Sequence, residues 1–432
     1  MSADDGKPAS SPWRDRRFLV FATGNFINNI GEQAFQVTLP LLAYALTRSL
    51  LIMSLLVLVN NATLVLAPLL GAIVDRFGAR TLVVPGLLVQ LVAAVLLNVL
   101  ALARHAPFFL VFIFCALVAL GGETYRAGWM VGVVTMFPDN PIRSRGSLNT
   151  LFVLAKIAGP MLVAVALGPI GYLGLLWLNV GTFVAPIIVW LIGIHPPRQE
   201  SPPKGQPRPG LHRDIIEGWR LIRQQPAVLH TQMITLPLHF VASTATVTLA
   251  IFYLRGQWHL SAQQVSTVMI AINISALVGV LLVAERRRLR VRRTLAITAI
   301  GMTGLLFAMA APRLWVFLAA LVVFYALRQA MATAALLMIF SYFPGRAIGR
   351  ASGTLDLLSG IPDITAPLAI PFLVPAFGVE NTFVVLGVVA LISVGWLAFS
   401  WRSWKERVTP PPASPPGLPE ALPAVLAGHD VA

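Results

Sequence analysis

Seven ionisable side chains stand inside long apolar runs: Glu32, Glu123, Arg126, Lys156, Arg328, Asp356 and Asp363. A charge held at mid-bilayer costs at least about 2.5 kcal/mol on insertion scales, so each is read as functional by default. The chemistry open to them is proton exchange and ion pairing. Around Glu32 the pattern is most informative. Asn25, Asn28, Asn29, Glu32 and Gln36 fall within an arc of about 100° on a helical wheel, one polar stripe along an otherwise apolar helix. Such a stripe is expected to face a cavity, with Glu32 near its middle placed to take up and release a proton. The other reading is a structural carboxylate held permanently by Arg126 or Lys156. Glu123 and Arg126, three residues apart, are neighbours on one helix face and can form a self-satisfied ion pair. His230 and His239 lie on apolar stretches, where a packed histidine is the better reading than a titrating one.

The elements that must position these groups are membrane helices. Hydrophobic residues make up 57% of the 432 residues, charged residues 11%, and mean hydropathy is +0.79. That profile excludes a soluble domain and places the chain among multi-pass membrane proteins. Runs of about 20 apolar residues, the length a bilayer requires, recur throughout. Twelve spans are expected, at 18–46, 50–73, 81–103, 107–137, 146–168, 171–194, 228–254, 262–284, 294–311, 314–343, 347–374 and 379–401. The first is too long, and too polar in its middle, for a cleaved signal. The fold class is therefore all-α: a cytoplasmic segment 1–17, a six-helix bundle 18–194, a connector 195–227, a second six-helix bundle 228–401 and a disordered tail 402–432.

Charge placement fixes the expected orientation. Of the 32 Lys and Arg residues, only Arg48, Arg104, Arg255 and Arg313 fall in loops on one side, and Arg126, Lys156 and Arg328 fall within spans. The remainder lie on the other side, which the positive-inside rule makes cytoplasmic, with both termini there. The high pI thus reports topology, and no basic soluble domain points to nucleic acid. The run Glu285 to Arg293 reads as a cytoplasmic loop, with anionic lipid headgroups as a weaker partner. In the connector, Leu211, Ile215, Trp219 and Ile222 share one helical face, with Arg213, Arg220 and Arg223 elsewhere, as in a helix lying on a membrane surface or a solvated linker helix. One cysteine, Cys115, excludes an intrachain disulfide and a cysteine metal cluster. There is no phosphate-binding glycine loop, no nucleophile-base arrangement and no metal spacing, so neither a cofactor, a metal nor an enzymatic activity is expected.

The two bundles are related by an internal repeat. Phe137-Pro138 recurs as Phe343-Pro344, Ile142 as Ile348, and Gly159-Pro160 as Ala366-Pro367, an offset of about 206 residues. Gly71 likewise meets Gly279. Alignment on Pro160 and Pro367 sets Lys156 opposite Asp363, an expected pair between the halves that forms in one state and breaks in another.

The ten residues Gly71-Ala72-Ile73-Val74-Asp75-Arg76-Phe77-Gly78-Ala79-Arg80 carry a resemblance. Their spacing, G-x-x-x-D-R-x-G-x-R between two spans, resembles the loop between the second and third helices of major facilitator superfamily (MFS) transporters. The resemblance implies a gating role for Gly71, Asp75, Arg76, Gly78 and Arg80, with Asp75 facing the positive end of helix 11. It also implies two six-helix halves with the substrate near the midplane between them. In that fold helices 3, 6, 9 and 12 face lipid, and none of the seven charges falls in those spans. Many proton-driven exporters of the family pair an acid in helix 1 with an arginine in helix 4, which would make Arg126 the switch partner of Glu32. Gly159-Pro160 matches part of the family's antiporter motif, although Ala155 and Leu162-Val163 stand where further glycines belong. Gly159, Pro160 and Asp356 are accordingly assigned to the interface between the halves or to a gate.

Gly31-Glu32 followed by Leu39-Pro40-Leu41-Leu42, with Glu217-Gly218-Trp219-Arg220-Leu221-Ile222 ahead of Pro226, looks like the branch of macrolide efflux proteins and the enterobactin exporter. The expectation is a monomeric secondary transporter of the bacterial inner membrane, working with a small-molecule substrate, protons and the lipid bilayer. Proton-coupled export of a drug, siderophore or secondary metabolite is the leading reading. The alternatives are import of a small, anionic metabolite and a non-transporting sensor or scaffold.

Overall fold

The computed structural model describes residues 12–66, 69–70, 73, 77–102, 107–137, 141–197, 211–284, 290–343 and 346–401. Gly71, Asp75 and Arg76 of the loop to which the resemblance assigns gating, and the segments 1–11 and 402–432, lie outside them, as does the side chain of Asp356. The described residues are helical and contain no strand. In chain order the helices are α1 Arg16–Thr47, α2 Leu50–Ala62, α3 Arg80–Leu102, α4 Phe108–Met136, α5 Pro141–Thr182, α6 Val184–Leu191 and α7 Leu211–Gln224. They continue with α8 Pro226–Val241, α9 Thr244–Gly256, α10 Ala262–Ala284, α11 Val291–Met309, α12 Leu314–Tyr342, α13 Arg346–Phe377 and α14 Val379–Ser400.

Among the described residues nine stretches are long and apolar enough to cross a bilayer. One of them, Gly146–Leu191, runs for 46 residues, more than twice the length one crossing needs. Gly171, at φ 67, turns the chain inside it, a backbone region open to glycine without steric cost. That turn separates the expected fifth and sixth spans. Neither α1, with its polar stripe, nor α2, an apolar helix of 13 residues before a 3-10 turn at Thr63–Leu66, is among the nine. The expected seventh span is not one helix. It breaks at Ala242-Ser243 into α8 and α9, with Pro237 inside the first piece. Four prolines, Pro362, Pro367, Pro371 and Pro375, interrupt the hydrogen-bond ladder of α13.

The chain packs as two compact units. The first comprises Met1–Arg213, Ala242–Ile274 and Ser359–Thr382; the second comprises Asp214–Val241, Ser275–Leu358 and Phe383–Ala432. In the first, α1 lies along α5 and α3 along α4. Glycines permit these approaches: a Cβ on Gly31 would overlap the Thr182 side chain, and one on Gly86 would meet the α4 backbone at Tyr125. Phe18, Phe21, Tyr125, Trp129 and Phe137 fill one end of the unit, with Phe18 and Phe137 edge to face at 5.2 Å. In the second unit α11 packs on α12, Phe317 meets Phe383 at 5.4 Å, and the Ser275 hydroxyl donates to the Val322 carbonyl at 2.8 Å.

Candidate functional site

The first unit encloses a cavity of about 240 Å³ lined by α1, α2, α4 and α5. Four of the seven predicted charges meet there: Glu32, Glu123, Arg126 and Lys156. Local helical geometry explains how each arrives. Glu32 and Gln36 are one turn apart on α1 and project to the same side. Glu123 and Arg126 are three apart on α4, and Lys156 comes from α5 one turn before Pro160. Arg126 donates through Nε to Glu123 Oε2 at 3.1 Å, and its Nη2 reaches the same oxygen. The Glu123 side chain is 16% exposed and Arg126 41%. In this structure, then, Arg126 is engaged by its neighbour on α4, while Glu32 lines the same cavity. Lys156 places Nζ 4.9 Å from the centre of the Phe152 ring.

The polar stripe of α1 divides. Glu32 and Gln36 line the cavity, whereas Asn25, Asn28 and Asn29 are buried in helix packing. Asn25 accepts from the Tyr125 hydroxyl at 3.4 Å. Over its 32 residues α1 crosses several environments along one face. Other polar groups join the site unannounced by charge: Gln33 from α1, and Asn60, Asn61 and Thr63 at the end of α2. Uncharged amides inside an apolar run were the available signal.

Gly159 sits against α1, where an added Cβ would meet Gln33 and the Ala34 amide. The Gly159-Pro160 pair thus helps bring α5 close to α1 beside the cavity. Asp363, in α13, belongs to the same compact unit, and its backbone carbonyl accepts from the Asn61 side chain at 3.1 Å. Arg328 lies in the second unit, with its guanidinium 5.7 Å from the Tyr325 ring. His239 and His230 are in that unit too, His230 packing its ring on Trp396 at 6.0 Å. Between α2 and α3, Gly78 adopts φ 89 and is buried, a left-handed turn that suits glycine. Arg80 stacks over Trp190 at 5.3 Å. Among the described residues no cluster of three or more His, Cys, Asp or Glu could hold a metal ion.

A sequence profile described as Major Facilitator Superfamily matches residues 21–285 and again 233–428. The chain belongs to the major facilitator superfamily. The second match agrees with the internal repeat, and the fold is that of an MFS transporter: twelve membrane helices in two related six-helix bundles. Solved structures agree. The crystal structure of the nucleoside transporter NupG superposes with TM-score 0.67 at 12% identity, covering 90% of this chain and 100% of that one. A bacterial homologue of the human lysosomal transporter Spinster, in an inward-facing and occupied conformation, gives 0.66 at 14%, covering 91% and 98%. A bacterial homologue of the iron transporter ferroportin, inward-facing, gives 0.64 at 15%, covering 89% and 99%. At such identities the likeness is one of fold. No curated protein sequence matches the chain. Within this MFS protein, the charged cavity beside α1 is the candidate site.

Proposed function

We propose that this MFS protein is a proton-coupled exporter of an amphipathic small molecule, working in the bacterial inner membrane with both termini cytoplasmic. The observation that carries the reading is the gathering of Glu32, Glu123, Arg126 and Lys156 around one cavity. Two acids and two bases in a low-dielectric space cannot all be solvated as in water, so each protonation or binding event re-partners the others. Glu32 is the coupling group. With Arg126 held by Glu123, gaining or losing a proton at Glu32 changes the charge presented to a substrate. Protonation of Glu32 from the periplasmic side would compete with substrate or release Arg126, and loss of that proton would draw Arg126 from Glu123 towards Glu32. Rocking of the two halves then exposes the site to either face in turn.

The likeness to the macrolide-efflux and enterobactin-exporter branch supports outward flux. Import of a small anionic metabolite is the second reading, favoured by the placement of Lys156 on the cavity wall. The test is proton flux in inverted membrane vesicles carrying an imposed pH gradient, with a panel of amphipathic compounds added to wild type and to Glu32→Gln. Compound-dependent collapse of the gradient in wild type, absent in the variant, is the expected result. Equal responses in both would remove Glu32 from the coupling role, and no response to any compound would favour the importer or the non-transporting sensor or scaffold.

A further inference from the structure

A second space adjoins the charged cavity. It measures about 500 Å³ and is lined by the end of α1, the start of α2, the end of α3, the start of α4 and the part of α5 that follows Gly171. Its chemistry is the opposite of its neighbour's. Among the described residues no charged side chain lines it, and its polar members there are Thr47 and Tyr172. The Thr47 hydroxyl is already committed to the Ala43 carbonyl at 2.7 Å. The two spaces share two residues, Leu39 and Leu56, both buried.

The sequence of α1 accounts for this juxtaposition. Glu32, Gln36, Leu39, Ala43 and Leu46 recur at intervals of four, three, four and three, which is one helical face. The first two line the charged cavity, Leu39 lines both, and the last two line the apolar space. On α2 the same transition runs in the opposite sense. Ile52 lines the apolar space, Leu56 both, and Asn60 the charged cavity, at intervals of four. The two helices run antiparallel and change from polar to apolar at one level. A molecule lying along this double face would meet charge and amide at one end and hydrocarbon at the other.

We infer that the two spaces form one bipartite site, in which the polar head of an amphiphile sits by Glu32 and its hydrocarbon tail lies beyond Leu39 and Leu56. This rests on the exporter reading above and specifies its substrate as a molecule with one contiguous apolar tail. The apolar stretch from Leu39 to Leu46 is about 10 Å long at 1.5 Å per residue. Affinity therefore rises with tail length and levels off once the tail spans that distance. Each added methylene is worth a near-constant increment until then.

The experiment uses purified protein in phospholipid nanodiscs with a tryptophan reporter at Phe112, which lines the apolar space. The probes are trimethylammonium ions carrying ω-bromoalkyl chains from ethyl to dodecyl, since bromine quenches tryptophan at contact. Phe112→Trp should gain a quenching component absent from the wild-type background, growing several-fold from ethyl to octyl and then flat. Adding Glu32→Gln should shift the same curve to at least tenfold higher probe concentration. Quenching indifferent to Glu32→Gln would show that the spaces bind independently and overturn the inference. Quenching in brominated-phospholipid discs that unbrominated dodecyl probe fails to relieve would place a lipid chain there and overturn it equally. Val111→Trp, on the same wall, supplies a second reporter if the first fails to fold. No proton gradient is present, so failure of coupling at Glu32 and failure of the bipartite site are read separately: intact compound-driven proton flux without reporter quenching removes only the latter.

Discussion

The side-chain amide of Asn61 donates to the backbone carbonyl of Asp363 at 3.1 Å, across 302 positions of sequence. The reason is visible four residues further on. In a regular helix the Asp363 carbonyl would accept from the amide of residue 367, but that residue is proline and has no N–H. Asn61 fills the vacancy that Pro367 creates, as neighbouring helices do for proline-broken membrane helices generally. Asn61→Val should therefore lower thermal stability in detergent by about 1–3 kcal/mol, the cost of an orphaned buried acceptor. In a Pro367→Ala background, where the helix supplies its own donor, the same change should cost much less. Equal losses in both backgrounds would contradict the replacement.

The side chain of Asp363 sits on the same turn and is the repeat-related counterpart of Lys156. Lys156→Ala and Asp363→Ala are each expected to lower transport at least tenfold, and the double variant to recover part of the loss. A double-mutant cycle on initial transport rates measures the coupling. Strictly additive losses would remove the pair from the mechanism.

The Tyr44 ring has two cations beside it. The Arg48 guanidinium carbon lies 4.8 Å from its centre and that of Arg255 5.5 Å, while Arg48 also donates to the Tyr44 hydroxyl at 3.0 Å. Phe252 meets the ring edge-on at 5.8 Å. The ring thus ties α1 to α9 within the first unit. Tyr44→Phe keeps both cation-ring contacts and should change little. Tyr44→Leu loses both, each worth about 0.5–2 kcal/mol for a ring that is itself buried. It should lower thermal stability in detergent relative to Tyr44→Phe, and equal stabilities of the two variants would deny the cation-ring contacts a part in holding α1 to α9.

These relationships mark how far the sequence could be read. Helix number and bounds were legible because membrane length and apolarity are one-dimensional properties: α10, α12 and α14 lie within a residue of expectation. So was the turn between the fifth and sixth spans, which falls at Gly171. The break between α8 and α9 was not, because hydropathy is blind to a two-residue interruption. Charge counting found the four ionisable groups of the cavity but passed over Asn60, Asn61 and Gln33, whose polarity costs too little in an apolar run to draw notice. Nor could it show that Asn25, Asn28 and Asn29 turn into packing while Glu32 and Gln36 turn into space. That depends on which neighbour each turn of α1 meets.

Gly159 separates packing from gating. Its missing side chain lets α5 approach Gln33 and Ala34 of α1. Gly159→Ala should lower thermal stability by about 1–3 kcal/mol, the usual cost of overpacking, with transport falling in proportion to folded protein. Unchanged stability with altered transport kinetics would instead favour the gate implied by the antiporter motif.

The triad of Glu32, Glu123 and Arg126 gives the sharpest test. Arg126 makes two hydrogen bonds to one Glu123 oxygen, so Arg126→Gln leaves two carboxylates facing one cavity without their shared cation. That variant should be strongly impaired in transport and in stability. Adding Glu123→Gln removes the uncompensated charge and should restore stability, because an unpaired charge in a low-dielectric site costs more than the neutral pair. If Arg126 also passes to Glu32 during the cycle, stability returns in the double variant but proton-coupled flux does not. If Arg126 serves only to neutralise Glu123, flux returns together with stability. Thermal unfolding and gradient-driven flux measured on the same preparations distinguish the two outcomes, and they decide whether the ion pair on α4 is a structural fixture or the switch that answers Glu32.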